Sequence, residues 1–190
     1  MRVISGRLKG RRLKAPAWEG LRPTSDKLRE TLFNILAPRI DGARVIDGFA
    51  GTGAVGIEAI SRGAAHVTFI ERDRRAVALI EENIAACGVQ GGYTIRRGDV
   101  ATVLPGLDPN AFDLILLDPP YDFMPLTQVL DASTRALAGG GLVVLEHASR
   151  REFEPAPSLE PARRVKSGDS MLTFFTHAVV GPVLSDRPEE

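Results

Sequence analysis

Cysteine is almost absent from this 190-residue sequence, which contains only Cys87. A single cysteine excludes a disulfide framework and a zinc cluster built from cysteines. Long apolar runs are missing as well: no stretch approaches the roughly 18 apolar residues of a membrane span, and the first residues lack a signal-peptide core. The length fits one domain. We therefore expect a soluble protein of the reducing cytoplasm, with no membrane and no metal partner. A monomer is the default expectation, because the sequence shows no sustained exposed apolar face.

Net charge is also absent, because 24 basic side chains balance 24 acidic ones. The balance hides an asymmetry: residues 1–44 carry eleven basic and four acidic side chains, whereas the remaining residues carry thirteen and twenty. Residues 1–14 alone hold six basic side chains and no acidic one. A basic segment on an acidic body suggests a polyanionic partner. Charge alone fits a solvated, disordered tail equally well.

The order of apolar and polar residues predicts a short N-terminal region followed by alternating strands and helices. Residues 2–5 and 11–14 flank glycine-rich residues as in a basic hairpin, and a helix is expected to begin near Ser25 and to stop at Pro38. Strands are predicted at 44–47, 66–70, 93–96, 112–117 and 141–146, helices at 54–61, 73–86 and 125–137, and a closing hairpin at 163–166 and 171–179. This alternation is typical of an α/β fold whose parallel sheet has helices on both faces. Ligands of such sheets bind beyond the carboxyl ends of the strands.

A glycine-rich loop joins the first of these strands to its helix. Gly51, Gly53 and Gly56 form a GxGxxG pattern, in which glycine permits a sharp turn and a close approach of the backbone to a ligand. Glu71 follows about twenty residues later at the end of the second strand, where a carboxylate can accept hydrogen bonds from a ribose diol. The alternative is a tight turn and an unrelated surface glutamate.

The loop is compatible with two nucleoside cofactors, NAD and S-adenosylmethionine. Asp47, at the end of the first strand, would repel a pyrophosphate but suits the ammonium group of a methionine tail. Asp99, after the third strand, is a candidate acceptor for the adenine amino group. Capping of the following helix explains Asp99 equally well and is compatible with that role.

The fourth strand ends in Asp118-Pro119-Pro120-Tyr121. Two prolines fix the backbone, so that the Pro119 carbonyl is expected to face the ligand edge. The Asp118 carboxylate and this carbonyl could accept the two N–H groups of an exocyclic base amine and free its lone pair, while Tyr121 stacks on the base. Such chemistry depends on positioning, with Asp118 able to accept the proton. The alternative is a proline-terminated strand with a packed tyrosine.

These residues resemble a known family. The tetrapeptide at 118–121 looks like the (D/N/S)PP(Y/F) motif of methyltransferases acting on exocyclic amines, and residues 47–53 resemble their cofactor loop. The RPTSDKLRETLFNIL block at 22–36 is similar to that of the bacterial 16S rRNA guanine-N2 methyltransferases of the D type, named for guanine 966. Residues 5–13, 49–54 and 58–64 match the same family, so the resemblance covers most of residues 2–147. Ser167 departs from it, because the family usually has an aromatic residue before the last hairpin glycine.

The resemblance implies a Rossmann-like class I methyltransferase fold: a seven-stranded, mostly parallel sheet with a final antiparallel hairpin. It implies an RNA-binding extension at 1–40, a methyltransferase domain at 41–182 and a disordered tail at 183–190. The implied reaction moves a methyl group from S-adenosylmethionine to a guanine N2 of 16S rRNA, on a 30S particle, and leaves S-adenosylhomocysteine.

Three sets of site residues follow from the motifs and the resemblance together. The catalytic candidates are Asp118, Pro119, Pro120 and Tyr121. The cofactor-binding candidates are Asp47, Phe49, Ala50, Gly51, Thr52, Gly53, Glu71, Arg72 and Asp99. The RNA-binding candidates are the cations Arg7, Lys9, Arg11, Arg12 and Lys14, with Arg22, Thr24 and Asp26 near the target base.

Other functions stay open at this point. A DNA methyltransferase acting on adenine N6 or cytosine N4 would use the same chemistry, but it usually carries a further recognition domain. A nicotinamide-dependent oxidoreductase would leave residues 118–121 unexplained, and a silent RNA-binding assembly factor has no need of Asp47, Glu71 and Asp118 together. The three histidines lack metal-ligand spacing. Glu146 ends the fifth strand, where an acid could contact the substrate, but we expect it to be exposed to solvent.

Overall fold

The computed structural model describes residues 1–16, 18, 25–120, 123, 125–154 and 156–178. Its helices are α1 (Asp26–Ile40), α2 (Ala54–Ser61), α3 (Arg74–Ala86), α4 (Val100–Val103) and α5 (Leu126–Ala136), and a 3₁₀ turn covers Leu104–Gly106. Its strands are β1 (Arg44–Gly48), β2 (His66–Glu71), β3 (Tyr93–Arg97), β4 (Phe112–Leu117), β5 (Leu137–Ala148), β6 (Leu159–Ser167) and β7 (Ser170–His177). No helix in these ranges is both long and apolar enough to cross a bilayer.

The seven strands form one sheet in the order β3-β2-β1-β4-β5-β7-β6. Strands β1 to β5 pair in parallel, and β7 pairs antiparallel with both β5 and β6. The strand order reverses between β1 and β4, so the carboxyl ends of these two strands mark the switch point where ligands of such sheets bind. The predicted fold class, including the antiparallel closing hairpin, is confirmed.

The central strands are apolar on both faces because helices cover both. Alternate residues of β4 illustrate this: Leu114 and Leu116 belong to one hydrophobic cluster with α1, α2 and α3, whereas Ile115 and Leu117 belong to a second cluster with α5. The site described below lies at the carboxyl ends of the strands, on the face covered by α1.

The N-terminal residues 1–14, hereafter the N-terminal hairpin, fold back on themselves and onto the body. The amide of Val3 donates to the Arg11 carbonyl at 2.9 Å, and the amide of Leu13 donates to the Met1 carbonyl at 3.1 Å. Val3 and Leu13 are buried in the same cluster as α1 and α2. The predicted hairpin is therefore present, and its docking decides against the alternative of a disordered tail.

Helix α1 does not stop at Pro38, so that prediction is wrong. The helix continues through Pro38 to Ile40. Leu36 and Ile40 lie on one face and are both buried, and their packing holds the last turn in place although proline supplies no backbone donor. The start is as expected, because the Ser25 side chain accepts a hydrogen bond from the Leu28 amide.

Element boundaries differ from the predictions mainly at the far end of the sheet. Strand β5 begins at Leu137, four residues before its predicted start, and β6 begins at Leu159 rather than at 163. The short helix α4 is the one that the capping interpretation of Asp99 predicts, because the Asp99 side chain accepts from the Ala101 amide at 2.9 Å. The predicted tail at 183–190 lies outside the described residues.

Candidate active site

The loop between β1 and α2 forms the floor of the candidate cofactor site. Gly51 and Gly53 have φ values of 55° and 74°, and Phe49 has a φ of 63° although it carries a side chain. Gly53 precedes the first turn of α2, as the GxGxxG pattern predicts. Left-handed conformations in a short loop turn the chain sharply and leave amide groups pointing toward a ligand.

Glu71 holds this loop in place. Its Oε2 accepts from the Gly51 amide at 2.8 Å, and its Oε1 accepts from the Asp73 amide at 2.8 Å. The carboxylate is buried. The two features that the sequence placed twenty residues apart are thus in direct contact, and the acid is fixed at the end of β2 in the position expected for a ribose acceptor.

Asp47 is the buried carboxyl at the centre of the site. Its Oδ2 accepts from the Gly56 amide in α2 at 2.7 Å. Burial raises the pKa of the Asp47 carboxyl to about 8, against the opposing effect of the Gly56 hydrogen bond and with support from the negative charges of Asp118 and Glu71. A group held in this way favours a cationic ligand, because a nearby positive charge would restore its ionised form.

Asp99 and Arg72 lie at the ends of β3 and β2. An Nη1 atom of Arg72 is 3.7 Å from the Asp99 Oδ2, and both side chains are partly exposed. The Asp99 Oδ1 is used in the cap of α4. The structure therefore contains the helix cap that the sequence offered as one interpretation of Asp99, and that cap leaves the adenine role compatible.

Two of the predicted cofactor residues are turned toward the protein. Thr52 is buried, with its hydroxyl 3.9 Å from the Met1 sulfur, and its carbonyl accepts from the Asn83 side chain at 3.0 Å. Ala50 is also buried, and its amide donates to the Ile70 carbonyl at 3.0 Å. Thr52 and Ala50 shape the loop from behind rather than present a side chain to its open face.

The catalytic candidates follow β4. The Asp118 amide is 3.4 Å from the Gly48 carbonyl, so the chain keeps its place beside β1 for one residue past the strand. Pro119 is buried and Pro120 is exposed. Tyr121 lies outside the described residues, so its stacking role stays a prediction.

Asp47 and Asp118 line one cleft. Its free space, including the solvent-open mouth, is about 340 Å³. Its walls come from α1, α2 and the ends of β1, β4, β5 and β7, and the lining residues are Leu28, Leu32, Asp47, Val55, Leu116, Leu117, Asp118, Val144, Glu146 and Leu172. Carboxyl groups from three neighbouring strands thus meet in a mainly apolar cleft, which is the usual character of a small-molecule site.

Two residues of this region were not predicted as site residues. Glu146 was expected to be exposed to solvent, and this is wrong: it is half-buried, lines the cleft and accepts from the Ser170 hydroxyl at 3.0 Å. Phe123 packs edge-on against Phe49 with ring centroids 4.9 Å apart, so Phe123 covers part of the cofactor loop. The rule that selected Asp47, Glu71 and Asp118, a polar residue at the end of a buried strand, would also have selected Glu146.

The RNA-binding candidates lie on the N-terminal hairpin and at the start of α1. Arg7, Lys9, Arg11, Arg12 and Lys14 are all exposed. Lys14 forms a surface ion pair with Glu82 at 2.9 Å. Asp26 pairs with the fully buried Arg29 at 2.9 Å, while Arg22 and Thr24 lie outside the described residues.

Buried polar side chains attach the hairpin to the body. Glu58 in α2 accepts from the amides of Ile4 and Ser5 at 2.7 and 3.0 Å. Arg29 donates to the Arg2 carbonyl at 2.6 Å, and Asn83 accepts from the Lys14 amide at 2.7 Å. The five exposed cations therefore lie on a segment whose backbone is hydrogen-bonded to the rest of the protein. Across the described ranges, no group of three or more metal-binding side chains comes together.

Comparison with known proteins agrees with this architecture. Residues 1–176 match the protein family described as "Conserved hypothetical protein 95". The chain belongs to this family. The resemblance to the D-type methyltransferases and the class I methyltransferase fold are both confirmed by the relatives below.

Three relatives show how far the similarity extends. "Putative rRNA methyltransferase YlbH" of Bacillus subtilis is 40% identical over 151 residues, which cover 77% of this chain and 82% of that protein. "Ribosomal RNA small subunit methyltransferase D" of Escherichia coli K12 is 40% identical over 121 residues, which cover 64% of this chain and 60% of that protein. The solved structure "Putative methyltransferase yhhF from Escherichia coli" is 30% identical, with a TM-score of 0.81, and covers 93% of this chain and 97% of that one.

Proposed function

We propose that the protein transfers a methyl group from S-adenosylmethionine to the exocyclic N2 amine of a guanine in 16S rRNA, presented in a small-subunit particle. The coarser part, a ribosomal RNA methyltransferase, has support in the names of its relatives. The guanine, its N2 atom and the particle follow from the family resemblance together with the cleft.

The observation that carries the proposal is the position of Asp118. It lies in one cleft with Asp47, at the switch point of the sheet and next to the loop held by Glu71. A cofactor bound on the loop and a base held at Asp118 would therefore meet in this cleft. Leu28, Leu32 and Val55 supply part of its apolar wall.

The residues of the loop fit S-adenosylmethionine. Asp47 is a buried carboxyl among other acids and favours a cation, and this cofactor has an ammonium and a sulfonium group. Glu71 is fixed where a ribose diol would need an acceptor. When bound, the cofactor supplies an electrophilic methyl group, so the protein needs no covalent intermediate and no metal.

Asp118 and Pro119 would prepare the amine. The amino group of a base is a poor nucleophile because its lone pair is delocalised into the ring. A carboxylate and a carbonyl that accept its two N–H groups draw the nitrogen toward tetrahedral geometry and align the lone pair. Asp118 then accepts the proton that the amine loses as its bond to the methyl carbon forms.

The N-terminal hairpin would bind the RNA backbone, and residues 1–40 would act as the RNA-binding extension of the catalytic domain at 41–182. Lys9, Arg11 and Arg12 are exposed on a docked hairpin rather than on a loose tail. Phosphate contacts of this kind provide affinity and register, while the cleft selects the flipped base.

The test is transfer of labelled methyl groups to small subunits from cells that lack the modification, followed by nucleoside mass spectrometry. We expect N2-methylguanosine. Label on adenine N6 or cytosine N4 would contradict the proposed base. No transfer to the subunit, with S-adenosylmethionine binding intact, would contradict the substrate and turn attention to DNA.

A further inference from the structure

Glu146 has no role in the proposed reaction so far, although it lines the same cleft as Asp118. We propose that Glu146 selects guanine by accepting the hydrogen bond of its N1–H group while Asp118 holds the N2 amine. This inference rests on the proposed function and deepens it, because it names the residue that reads the base.

The register of the sheet places the two carboxylates side by side. The last aligned pairs of β4 and β5 are Leu116 with Val144 and Leu117 with Leu145. Asp118 and Glu146 are the next residues of these neighbouring strands, which lie about 4.8 Å apart.

The alternation of side chains puts both on the same face. Leu116 and Val144 belong to the hydrophobic cluster under α1, whereas Leu117 and Leu145 belong to the opposite cluster. Because side chains alternate along a strand, Asp118 and Glu146 return to the face of Leu116 and Val144. The cleft lining agrees, since both carboxylates are part of it.

Glu146 is also held in orientation. The Ser170 hydroxyl, on β7, donates to Glu146 Oε1 at 3.0 Å. The surrounding wall is apolar, with Val144 and Leu172 on either side, and a hydrogen bond to a carboxylate is stronger in such surroundings than in water.

The pattern of acceptors matches one base. Guanine presents adjacent donors, N1–H and the N2 amine, along its Watson–Crick edge, so neighbouring carboxylates can accept from both. Adenine has an unprotonated N1 at the corresponding place, and its lone pair would face the Glu146 carboxylate. A site built to accept a hydrogen bond from its substrate rejects an analogue that lacks the matching donor.

The test uses 2,6-diaminopurine, which keeps the N2 amine but has an unprotonated N1. Small subunits are reconstituted with 16S rRNA that carries either guanine or 2,6-diaminopurine at the methylated position, and initial transfer rates are compared. We expect the wild-type protein to favour guanine by about 100-fold or more. Glu146→Gln, whose amide can donate to the unprotonated N1, should reduce this preference at least about tenfold.

Two further variants separate selection from structure. Glu146→Asp keeps the charge and should keep the guanine preference at a lower rate. Ser170→Ala removes the supporting hydroxyl and should slow transfer while guanine stays preferred. S-adenosylmethionine binding is measured for each variant and should stay close to wild type.

The outcomes distinguish the two proposals. If Glu146→Gln slows transfer to guanine and to 2,6-diaminopurine equally, so that the ratio of the two rates is unchanged, the selection role is overturned and Glu146 is a structural residue. Wild-type protein that methylates both bases equally would overturn it too, while the proposed function stands. Wild-type protein that methylates no guanine at all would overturn the proposed function itself.

Discussion

At the scale of single residues, the site depends on carboxyl groups with different surroundings. Asp47 is buried and held by the Gly56 amide, Glu71 is fixed by two amides, and Asp118 lies at the cleft beyond β4. These surroundings suit three different roles, which we propose are binding of a cation by Asp47, support of the loop by Glu71 and hydrogen bonding to the amine by Asp118.

Asp118 can be tested apart from cofactor binding. Asp118→Ala removes the group that we propose accepts both the hydrogen bond and the proton of the amine, and we expect transfer to fall by roughly 10² to 10⁴-fold. S-adenosylhomocysteine affinity, measured by calorimetry, should change little because the loop is held by Glu71. Asp118→Asn keeps the shape and should also be impaired. Loss of cofactor binding in both variants would contradict this division of roles.

Asp47 makes folding stability depend on pH. Because its pKa is raised to about 8 in the folded protein, the folded state keeps a proton that the unfolded chain has already lost above pH 4. Stability is therefore lost as pH rises from about 4 to about 8. Asp47→Asn should remove this loss. Between pH 4 and pH 8, the free energy of unfolding of the variant should therefore rise relative to that of wild type by an amount on the order of a few kcal/mol.

The measurement is urea unfolding of wild type and Asp47→Asn at several pH values between 4 and 8. Other titrating groups are common to both proteins, so the difference isolates Asp47. A difference that stays constant with pH would show that the Asp47 carboxyl ionises normally in the folded state.

At the scale of elements, the N-terminal hairpin is tied to helices as well as closed by its own backbone hydrogen bonds. Glu58 of α2 is fully buried and accepts from Ile4, Ser5 and the Arg62 side chain. Asn83 of α3 bonds both Lys14 and the carbonyl of Thr52 in the cofactor loop. The cofactor loop and the hairpin thus share a supporting side chain.

Removal of this support has a measurable cost. Glu58→Ala leaves the amides of Ile4 and Ser5 and the Arg62 side chain without their acceptor, and we expect a loss of about 3–5 kcal/mol in the free energy of unfolding. Hydrogen exchange at Ile4 and Ser5 should accelerate at the same time. The control is Glu82→Ala, which breaks the exposed pair with Lys14 and should cost less than about 1 kcal/mol. Similar losses in both variants would contradict the buried network as the anchor.

At the scale of the whole molecule, opposite charges are separated. A basic N-terminal region is joined to an acidic body, and the two charges cancel over the whole chain.

Reversal of Arg11 and Arg12 to glutamate should weaken RNA binding and flatten its dependence on salt, by about 0.7–0.9 in the logarithmic slope for each phosphate that the hairpin no longer neutralises. The control reverses Arg163 and Arg164, exposed on the edge strand β6. Equal effects of the two changes on binding isotherms would point to total charge instead of the hairpin.

The sequence predicted the features that depend on neighbouring residues, and it failed where packing between distant elements decides the structure. The structure has Asp47, Glu71 and Asp118 at the strand ends where the sequence placed them, because each position depends on its own strand and turn. Local patterns failed at Pro38, where packing of Leu36 and Ile40 outweighs the missing amide. Glu146 was misplaced because its surroundings come from α1 and β7, which are distant in sequence.

The docked hairpin also implies an order of events during synthesis. The Lys14 amide reaches its acceptor on Asn83 only after 69 further residues have been added. At roughly 5–20 residues per second, this delay lasts about 3 to 14 s. For that interval the most cationic part of the chain is already made, while its final bonds with α3 do not yet exist. During this part of synthesis, each new chain therefore carries a basic N-terminal segment that is not yet bonded to α3.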